Sequence, residues 1–333
     1  MYYSVVVPTF RRPDEVRELL QSLNKQTYRE FEVILADGSP DDSVRDVLAD
    51  FKNTITTKHL YKKGLGISES RNWGVENAKG DYIVFFDSDC IIPSQYFTIV
   101  NEFLLSNLLD AYGGPDRADE SFDIRQKAIS YAMTSFFTTG GIRGKKGHVG
   151  DYQPRTFNMG IRRKVFNELG GFSGLKVSED IDLSIRLKKN GYKTGLIEKA
   201  YVFHKRRSTF YKFYLQVFSF GKGRIDLQVK HGDALKPVHT VPSLFVLYLA
   251  GGLLLSFFSK FFAAFWLLSL LFYMILILAD SAVQNKGILI GIVSVYTSFI
   301  MLIGYGLGMI KAFVMRLVFH SSKQSEKPEI TRE

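Results

Sequence analysis

The pattern of apolar and polar positions divides the chain into two parts. Through about residue 236, short apolar runs alternate with segments in which apolar residues recur at helical spacing. Short unbroken apolar runs are typical of buried strands in a parallel sheet, and the helical spacing predicts amphipathic helices between them. We therefore predict an α/β fold with a mainly parallel sheet and right-handed crossovers, followed by a different C-terminal region.

The predicted strands end in residues suited to ligand binding. The elements predicted in chain order are a strand at 3–8, a helix at 14–25, a strand at 31–37, a helix ending near 51, a strand at 58–61, a helix at 69–77 and a strand from 82. Later segments predict helices at 122–139, 163–169 and 178–189, the last with Ser178 as its N-cap. Because ligands collect beyond the carboxyl ends of parallel strands, Pro8, Asp37 and Asp87 are expected along one edge of the sheet.

The C-terminal region is predicted to cross a membrane. The segments 241–259, 261–279 and 288–310 contain no charged residue, and each is long enough, or nearly so, to span about 30 Å of hydrocarbon as a helix. A buried helix of a soluble protein is the alternative for any one segment, but three in series favour membrane spans. Only Lys260 separates the first two, which predicts a tight hairpin or one partly re-entrant segment.

These segments define three regions. We expect a first domain at 1–236, transmembrane helices within 237–320 and a polar tail at 321–333. The juxtamembrane segment 199–236 contains nine Lys or Arg and two Asp, a bias that indicates a cytoplasmic position for the first domain. Three spans would then place the tail outside, whereas its basic residues favour the inside, so the number of spans stays open.

The charge balance of the chain indicates anionic partners. The 333 residues include 43 Lys and Arg against 33 Asp and Glu, a formal net charge of +10. Such a balance suits phosphorylated ligands, anionic lipid or nucleic acid; we expect the first two and no nucleic acid. The single cysteine, Cys90, excludes an intramolecular disulfide framework, and no signal peptide is expected.

Two carboxylates follow the apolar run 82–86 at positions i and i+2. Asp87 and Asp89 can face one site if the strand geometry persists, because side chains alternate along a strand. Hard oxygen ligands at this spacing suit Mg²⁺ or Mn²⁺ holding a substrate diphosphate. His204 follows a later strand-like run and can supply a third ligand. The alternatives are a polar turn after the strand and a structural histidine.

Further candidates lie at a strand end and at two helices. Asp37 precedes Gly38, which lets the backbone approach a planar ligand closely, so its carboxylate can accept hydrogen bonds from a base or ribose. Arg71 follows a glycine-bearing loop that can lay a nucleotide over the sheet, with the guanidinium near the diphosphate. Glu179 and Asp180 begin a helix, where a carboxylate can act as general base for an acceptor hydroxyl. The alternative for Asp37 is an Asx turn, and the alternative for Arg71 is a structural arginine. For Glu179 and Asp180 the alternative is capping with favourable charge at the helix N-terminus.

Two glycines and two basic residues lie together before the membrane region. Gly221 and Gly223 are expected to loosen the backbone, and Lys222 and Arg224 can neutralise a leaving diphosphate. The alternative is an amphipathic interfacial helix that ends at Gly221. The basic run 205–207 can bind a diphosphate or anionic lipid, or face solvent. Aromatic pairs are expected at the membrane interface at 136–137, 210–211 and 213–214.

Several of these motifs together resemble a known family. The motifs cover roughly residues 2–225 and are, in order, Val5-Val-Val-Pro-Thr-Phe, Ala36-Asp-Gly-Ser39, Arg71-Asn72, Phe86-Asp-Ser-Asp89, Gly170-Gly-Phe172 and Ser178-Glu-Asp180. The set is similar to the ordered motifs of family 2 glycosyltransferases, which have the GT-A fold. The membrane region resembles the integral-membrane subgroup that includes succinoglycan-type sugar transferases.

The resemblance implies roles for residues that bind the donor. Pro8 and Asp37 would flank a uracil or guanine base and its ribose. Asp87 would face the ribose and metal-bound water, and Asp89 would coordinate Mg²⁺ or Mn²⁺. His204 resembles the histidine that completes the metal site in some GT-A relatives.

The resemblance also implies an activity. Asp180 would be the base in an inverting transfer from a UDP- or GDP-linked sugar. Because the membrane spans would hold the site near the bilayer, we expect a lipid-linked glycan as the acceptor. Two departures bear on this expectation: Ala36 stands where many members carry Asp, which weakens base contacts, and Gln216 is not followed by the Arg-Trp pair of processive synthases. We therefore expect addition of one sugar rather than polymerisation. The alternatives are transfer to polyprenyl phosphate and a non-catalytic nucleotide-binding scaffold at the membrane.

Overall fold

The described chain forms two compact units. The computed structural model describes residues 1–117, 122–140, 152–205 and 209–319. The first unit contains residues 1–117 and 152–205, and the second contains 122–140 and 209–319. The units therefore divide near residue 205, earlier than the expected domain end at 236. The predicted polar tail at 321–333 lies outside the described residues.

The strands and helices follow the predicted alternation in the first part of the chain. Through residue 117 the elements are β1 (Tyr3–Thr9), α1 (Pro13–Asn24), β2 (Phe31–Asp37), α2 (Ser43–Ala49), β3 (Thr57–Tyr61), α3 (Ile67–Glu76), β4 (Tyr82–Phe86), β5 (Cys90–Ile91), α4 (Tyr96–Ser106), β6 (Ala111–Gly113) and β7 (Asp116–Arg117). The later elements are α5 (Ile124–Thr134), α6 (Phe136–Thr139), β8 (Asn158–Arg162), α7 (Arg163–Glu168), α8 (Glu179–Lys189), β9 (Thr194–Leu196), β10 (Val202–His204), α9 (Phe210–His231), α10 (Pro237–Ser256), α11 (Lys260–Gln284) and α12 (Ile288–Phe313), followed by a π-helical turn (Val314–Val318).

A seven-stranded sheet organises the first unit. Its strand order is β3-β2-β1-β4-β8-β6-β9. Strands β1 to β4 run parallel to one another, as the alternation of strands and helices predicts, whereas β8 is antiparallel to both β4 and β6. A smaller sheet has the order β5-β10-β7. The fold is therefore the expected mainly parallel α/β arrangement, with an antiparallel strand that the sequence pattern did not indicate.

Both faces of the large sheet are covered, which is why its central strands read as unbroken apolar runs. Val5 and Val7 of β1 belong to one buried cluster, together with apolar residues of α1, α2 and α4. Val6 points to the other face and joins a second cluster with residues of α3, α7 and α8. Burial of each such side chain contributes about 1.5–3 kcal/mol relative to exposure. The two clusters hold the sheet between two helical layers.

The carboxyl ends of three parallel strands lie side by side. Thr9 at the end of β1 is in register with Asp37 at the end of β2. On the other side of β1, Val6 is in register with Phe85, two residues before Asp87. The predicted convergence of these strand ends at one edge of the sheet is therefore confirmed.

Three helices of the second unit are long and apolar enough to cross a membrane. They are α10, α11 and α12, the last extended through Arg316 by the π-helical turn. They correspond to the three predicted spans. The break between the first two lies at residues 257–259, and Lys260 begins α11. The two segments are thus separate helices of 20 and 25 residues.

Helix α9 is continuous over 22 residues, so the prediction that its glycines loosen or end the helix is wrong. A Cβ at Gly221 would overlap the carbonyl oxygen of Tyr305 on α12, and a Cβ at Gly308 on α12 would overlap the carbonyl oxygen of Phe218. Glycine at these positions lets two backbones approach each other closely. Small residues serve this purpose where helices pack within a membrane.

The aromatic pairs predicted at the membrane interface have unequal exposure. Phe213 is fully buried, in a cluster with Ile129 and Val217 of the second unit. Phe213 is therefore a core residue, and the interfacial prediction is wrong for it because α9 turns this side chain toward α5. Phe136 and Tyr211 are 70% and 59% exposed and keep the surface that an interfacial role requires.

We expect Gly308→Ala to destabilise the second unit. The added Cβ would overlap the backbone of α9, which cannot move aside as a flexible side chain would. Overpacking of this kind costs about 1–3 kcal/mol. Gly251→Ala on α10 is the matched control, because a Cβ there meets open space. Thermal unfolding of the full-length protein in detergent measures both variants, and equal melting temperatures would contradict the close-packing interpretation.

Candidate functional site

The buried strand β4 is followed by two carboxylates that guanidinium groups anchor. The Asp87 side chain is 32% accessible, and that of Asp89 is 15% accessible. Oδ2 of Asp89 lies 3.0 Å from Nη1 of Arg12 in the loop after β1. Oδ1 of Asp87 lies 2.9 Å from Nη2 of Arg71 on α3. Neighbouring elements of the first unit thus orient both carboxylates.

His204 faces the same carboxylates. It ends β10, which pairs antiparallel with β5, so that His204 lies opposite Cys90, the residue after Asp89. Its Nε2 lies 3.1 Å from Oδ1 of Asp89 and 3.9 Å from Oδ2 of Asp87. Its ring stacks on Phe157 with centroids 5.2 Å apart. The structure therefore brings together the three residues predicted as metal ligands.

These groups fit a divalent ion of the Mg²⁺ and Mn²⁺ class. The 3.1 Å between Oδ1 of Asp89 and Nε2 of His204 matches neighbouring ligands of an octahedral ion with bonds of about 2.1 Å. Nδ1 of His204 is buried without a hydrogen-bond partner among the described residues, so stacking orients the ring. The Cys90 thiol also lies within 4.8 Å of both ligand atoms. However, burial raises the pKa of Cys90, and a protonated thiol is not a ligand for a hard ion.

Arg71 is buried and joins two acidic motifs. Only 1% of its side chain is accessible. Nη2 lies 2.9 Å from Oδ1 of Asp87, and Nη1 lies 2.8 Å from Oε1 of Glu179 at the start of α8. The guanidinium also lies 5.5 Å from the ring centroid of Phe172. This geometry corrects the expectation of a diphosphate contact: Arg71 is an enclosed structural arginine that fixes Asp87 relative to α8.

Glu179 and Asp180 begin α8 but have different surroundings. The Glu179 carboxylate is 6% accessible and bound to Arg71. The Asp180 carboxylate is 19% accessible and lies 3.5 Å from Nη1 of Arg155. Of the two predicted catalytic carboxylates, Asp180 is therefore the more accessible. Ser178 occupies the N-cap position as predicted, but its left-handed backbone (φ 64°) leaves no side-chain cap bond.

Asp37 is a fully buried acceptor at the end of β2. Oδ1 accepts a hydrogen bond from the Ser39 amide at 2.9 Å, and Oδ2 lies 3.3 Å from Nε2 of His59 on β3. The other ring nitrogen of His59 lies 3.8 Å from Oδ1 of Asp42. Burial opposes ionisation of Asp37, but the hydrogen bonds from His59 and Ser39 outweigh it and lower its pKa. Asp37 is thus ionised and held in place.

The loop after β3 covers Gly38. The Gly64 amide donates to the carbonyl of Gly38 at 3.0 Å, and the Lys62 amide donates to the carbonyl of Asp37 at 3.0 Å. A Cβ at Gly38 would lie 2.6 Å from the carbonyl oxygen of Leu65. Gly38 therefore accommodates this loop, which corrects the expectation that it makes room for a ligand. Asp37 has no accessible surface in this arrangement, so a base could contact its carboxylate only after a local rearrangement.

Arg12 and His59 touch the candidate site although sequence reasoning missed both. The position of Arg12 could have been predicted from the sequence, because a cation just after a strand end lies at the ligand-binding edge of a parallel sheet. His59 carries no such signal, because only the pairing of β3 with β2 places it opposite Leu35 and beside Asp37.

Lys222 and Arg224 lie on α9 in the second unit. The ammonium groups of Lys222 and Lys311 lie 5.9 Å and 6.0 Å from the ring centroid of Phe218. The role of Lys222 and Arg224 at a diphosphate stays a prediction. Of the basic run 205–207, only Lys205 is among the described residues, and it pairs with Glu18 on α1 in the first unit.

The family of the chain follows from a match over half of its length. The model of Glycosyl transferase family 2 matches residues 4–170. The chain belongs to this family. The strand ends at Asp37 and Asp87 and the motif Asp87-Ser-Asp89 lie within the matched residues, so the resemblance noted from the motifs is confirmed.

Curated relatives of this family 2 glycosyltransferase include a succinoglycan biosynthesis protein. Succinoglycan biosynthesis protein ExoA of Rhizobium meliloti (strain 1021) is 24% identical over 257 residues, 76% of this chain and 77% of that protein. Uncharacterized glycosyltransferase EpsJ of Bacillus subtilis (strain 168) is 33% identical over 112 residues, 33% of this chain and 32% of that protein. The chain thus spans most of ExoA but only a third of EpsJ.

Solved structures similar to this family 2 glycosyltransferase confirm the GT-A type of fold. Mannosyltransferase PcManGT from Pyrobaculum calidifontis, in complex with GDP-Man and Mn²⁺, has a TM-score of 0.68 at 15% identity and covers 93% of this chain and 86% of that chain. S. aureus TarS 1-349, in complex with UDP, has a TM-score of 0.51 at 20% identity, with coverages of 72% and 68%. At these identities the likeness establishes the fold alone.

We expect Asp37→Asn to change the acid sensitivity of the fold. The pKa of Asp37 is lowered on folding, so the unfolded chain binds its proton more readily. Its contribution to stability is therefore present above the ordinary value of 3.8 and is lost as pH falls through the lower folded value. The melting-temperature difference between wild type and Asp37→Asn should shrink as the pH falls below about 5. Asp41→Asn, an exposed carboxylate nearby, is the control. A difference that stays constant with pH would contradict this account.

Proposed function

We propose that this family 2 glycosyltransferase transfers one sugar, with inversion, from a nucleoside-diphosphate sugar to a lipid-linked glycan, with Mg²⁺ or Mn²⁺ as cofactor. The observation that carries the proposal is the buried link from Asp87 through Arg71 to Glu179. This link joins the carboxylate pair after β4 to the residue beside Asp180. It therefore supports one site in which donor and catalytic base meet.

The strand ends support binding of a nucleotide donor. Pro8 and the ionised Asp37 lie at the edge where the base and ribose would bind. Asp89 and His204, with Asp87, would hold the divalent ion, which when bound would neutralise charge on the departing diphosphate. GDP-Man with Mn²⁺ in PcManGT and UDP in TarS support a UDP- or GDP-linked sugar.

Asp180 would perform the proton transfer. The acceptor oxygen attacks the anomeric carbon while a carboxylate oxygen of Asp180 takes the hydroxyl proton. The bond from that carbon to the diphosphate oxygen breaks on the opposite side, which inverts the configuration. General-base assistance of this kind is worth about 10²–10⁴-fold in rate. Glu179 acts as a positioning residue, because Arg71 occupies its carboxylate.

The second unit supports a membrane acceptor. Among the described residues three helices are apolar enough to cross a bilayer, which supports activity at the membrane, where lipid-linked acceptors are found. The basic bias of 199–236 supports a cytoplasmic first unit. Lys222 on α9 and Lys311 on α12 both lie near the ring of Phe218 and supply positive charge suited to a lipid phosphate. The name of ExoA supports an acceptor in surface polysaccharide assembly.

Radiolabelled nucleotide sugars tested with extracted lipid acceptors would examine the whole proposal. We expect one UDP- or GDP-linked sugar to be transferred once per acceptor, with inverted anomeric configuration. Transfer directly to polyprenyl phosphate would replace the proposed acceptor. If the protein binds the nucleotide but shows no sugar transfer and no slow hydrolysis of the donor, a non-catalytic scaffold would replace the proposed enzyme.

We expect Asp180→Asn to separate chemistry from binding. Asn keeps the shape of Asp but cannot take a proton, so turnover should fall by about 10²-fold or more while donor affinity stays near wild type. Steady-state transfer rates and calorimetry measure the two quantities. Asp46→Asn, which also alters an acid in the first turn of a helix, is the control. Turnover within a few-fold of wild type would leave helix capping as the better account of Asp180, because Asn caps about as well as Asp.

We expect Asp89→Ala to abolish the Mn²⁺-dependent part of nucleotide affinity. The variant loses the carboxylate that faces His204, whereas the buried strand before it is unchanged. Calorimetric titration of UDP and GDP with and without Mn²⁺ measures this part. Asp81→Ala, at the opposite end of the same strand, is the control. Undiminished Mn²⁺ dependence in folded Asp89→Ala would remove Asp89 from the metal site.

A further inference from the structure

Arg12 contacts the carboxylate that the proposed function assigns to the metal. Its Nη1 lies 3.0 Å from Oδ2 of Asp89, while Oδ1 of the same carboxylate faces Nε2 of His204 at 3.1 Å. The topology explains this contact, since β1 and β4 are parallel neighbours and the loops that leave their carboxyl ends emerge side by side. A fixed positive charge therefore lies at the candidate metal site before any ion binds.

The two side chains hold this contact away from bulk water. The Arg12 side chain is 21% accessible and that of Asp89 is 15% accessible. Charges in such partly enclosed positions are screened less than surface charges. An ion bound to Asp89 would share its carboxylate with the guanidinium of Arg12, so the two positive charges would repel each other across one anionic group.

A nucleoside diphosphate reverses this balance. Its several negative charges attract both the ion and the guanidinium, so the repulsion that opposes the ion alone is offset when the diphosphate is present. We propose that Arg12 couples the two ligands: it disfavours binding of the divalent ion alone and favours binding of the ion together with the nucleotide. The inference rests on the proposed function for the donor and the metal, and it adds Arg12 as the source of their mutual dependence.

Coupling of this kind is reciprocal. If the nucleotide raises affinity for the ion by some factor, the ion raises affinity for the nucleotide by the same factor. The functional result is a site that stays largely free of metal until a donor arrives, so that the ion and the donor enter as one unit. Arg12 would thereby link binding of the ion to binding of the donor through its contact with Asp89.

A purely orienting role for Arg12 makes the opposite prediction. A guanidinium that only holds the Asp89 carboxylate in its rotamer would assist the ion equally with and without nucleotide. Its removal would then weaken metal binding in both states and leave their ratio unchanged. The sign of the change in ion affinity without nucleotide therefore distinguishes the two roles.

The test measures Mn²⁺ binding to the full-length protein in detergent by the paramagnetic resonance signal of free Mn²⁺. Titrations are made without nucleotide and with saturating UDP or GDP. For Arg12→Gln we expect Mn²⁺ alone to bind about 3–10-fold more tightly than to wild type, and the ratio of the two dissociation constants to fall about tenfold, within the usual range of coupling. Arg12→Lys keeps the charge and should keep most of the coupling.

Arg17→Gln is the matched control, because it removes one positive charge from α1 at a surface pair with Asp50. It should bind Mn²⁺ as wild type does in both titrations. Weaker binding of Mn²⁺ alone to folded Arg12→Gln with an unchanged ratio would overturn the inference. So would loss of coupling in folded Arg12→Lys, which covers the case in which Arg12→Gln does not fold. Wild-type protein that binds no UDP or GDP with Mn²⁺ would instead overturn the proposed function and the inference with it.

Discussion

One buried positive charge organises the first unit. Arg71 is enclosed, and a guanidinium removed from water is tolerated only when its charge is paired. Asp87 and Glu179 supply the two carboxylates, from a strand end and from a helix start that lies 108 residues beyond Arg71 in the chain. Because Arg71 bridges the two carboxylates, this triad ties the position of the carboxylate pair after β4 to that of helix α8.

The neighbouring Asn72 strengthens the same connection. Its Nδ2 donates to the carbonyl of Phe172 at 2.9 Å, and its Oδ1 accepts a hydrogen bond from the Phe172 amide at 2.9 Å. Gly171 has φ 71°, and a Cβ there would lie 2.7 Å from Oδ1 of Asn72, so glycine is required at this close approach. The short motifs Arg71-Asn72 and Gly170-Gly-Phe172 are therefore two halves of one contact, which accounts for their joint presence.

What could be predicted from the sequence depended on whether the signal was local. The parallel strands and the convergence of Asp37 and Asp87 could be predicted, because runs of apolar residues and the topology rule for parallel sheets require no distant information. The burial of Arg71 could not, since its partner Glu179 is far away in the chain. Gly38 and Gly221 were misread for the same reason: each glycine accommodates a backbone from another element, which no local pattern shows.

The position of Cys90 gives the protein an internal chemical reporter. It is the one cysteine of the chain, is 1% exposed and directly follows Asp89. Its thiol lies 3.6 Å from the carbonyl oxygen of Phe157, whose ring stacks on His204. A thiol-directed reagent can therefore react only when the packing around β5 and β10 opens, and the labelling rate measures the free energy of that local opening. The native cysteine thus allows local opening beside the candidate metal site to be measured without an engineered probe.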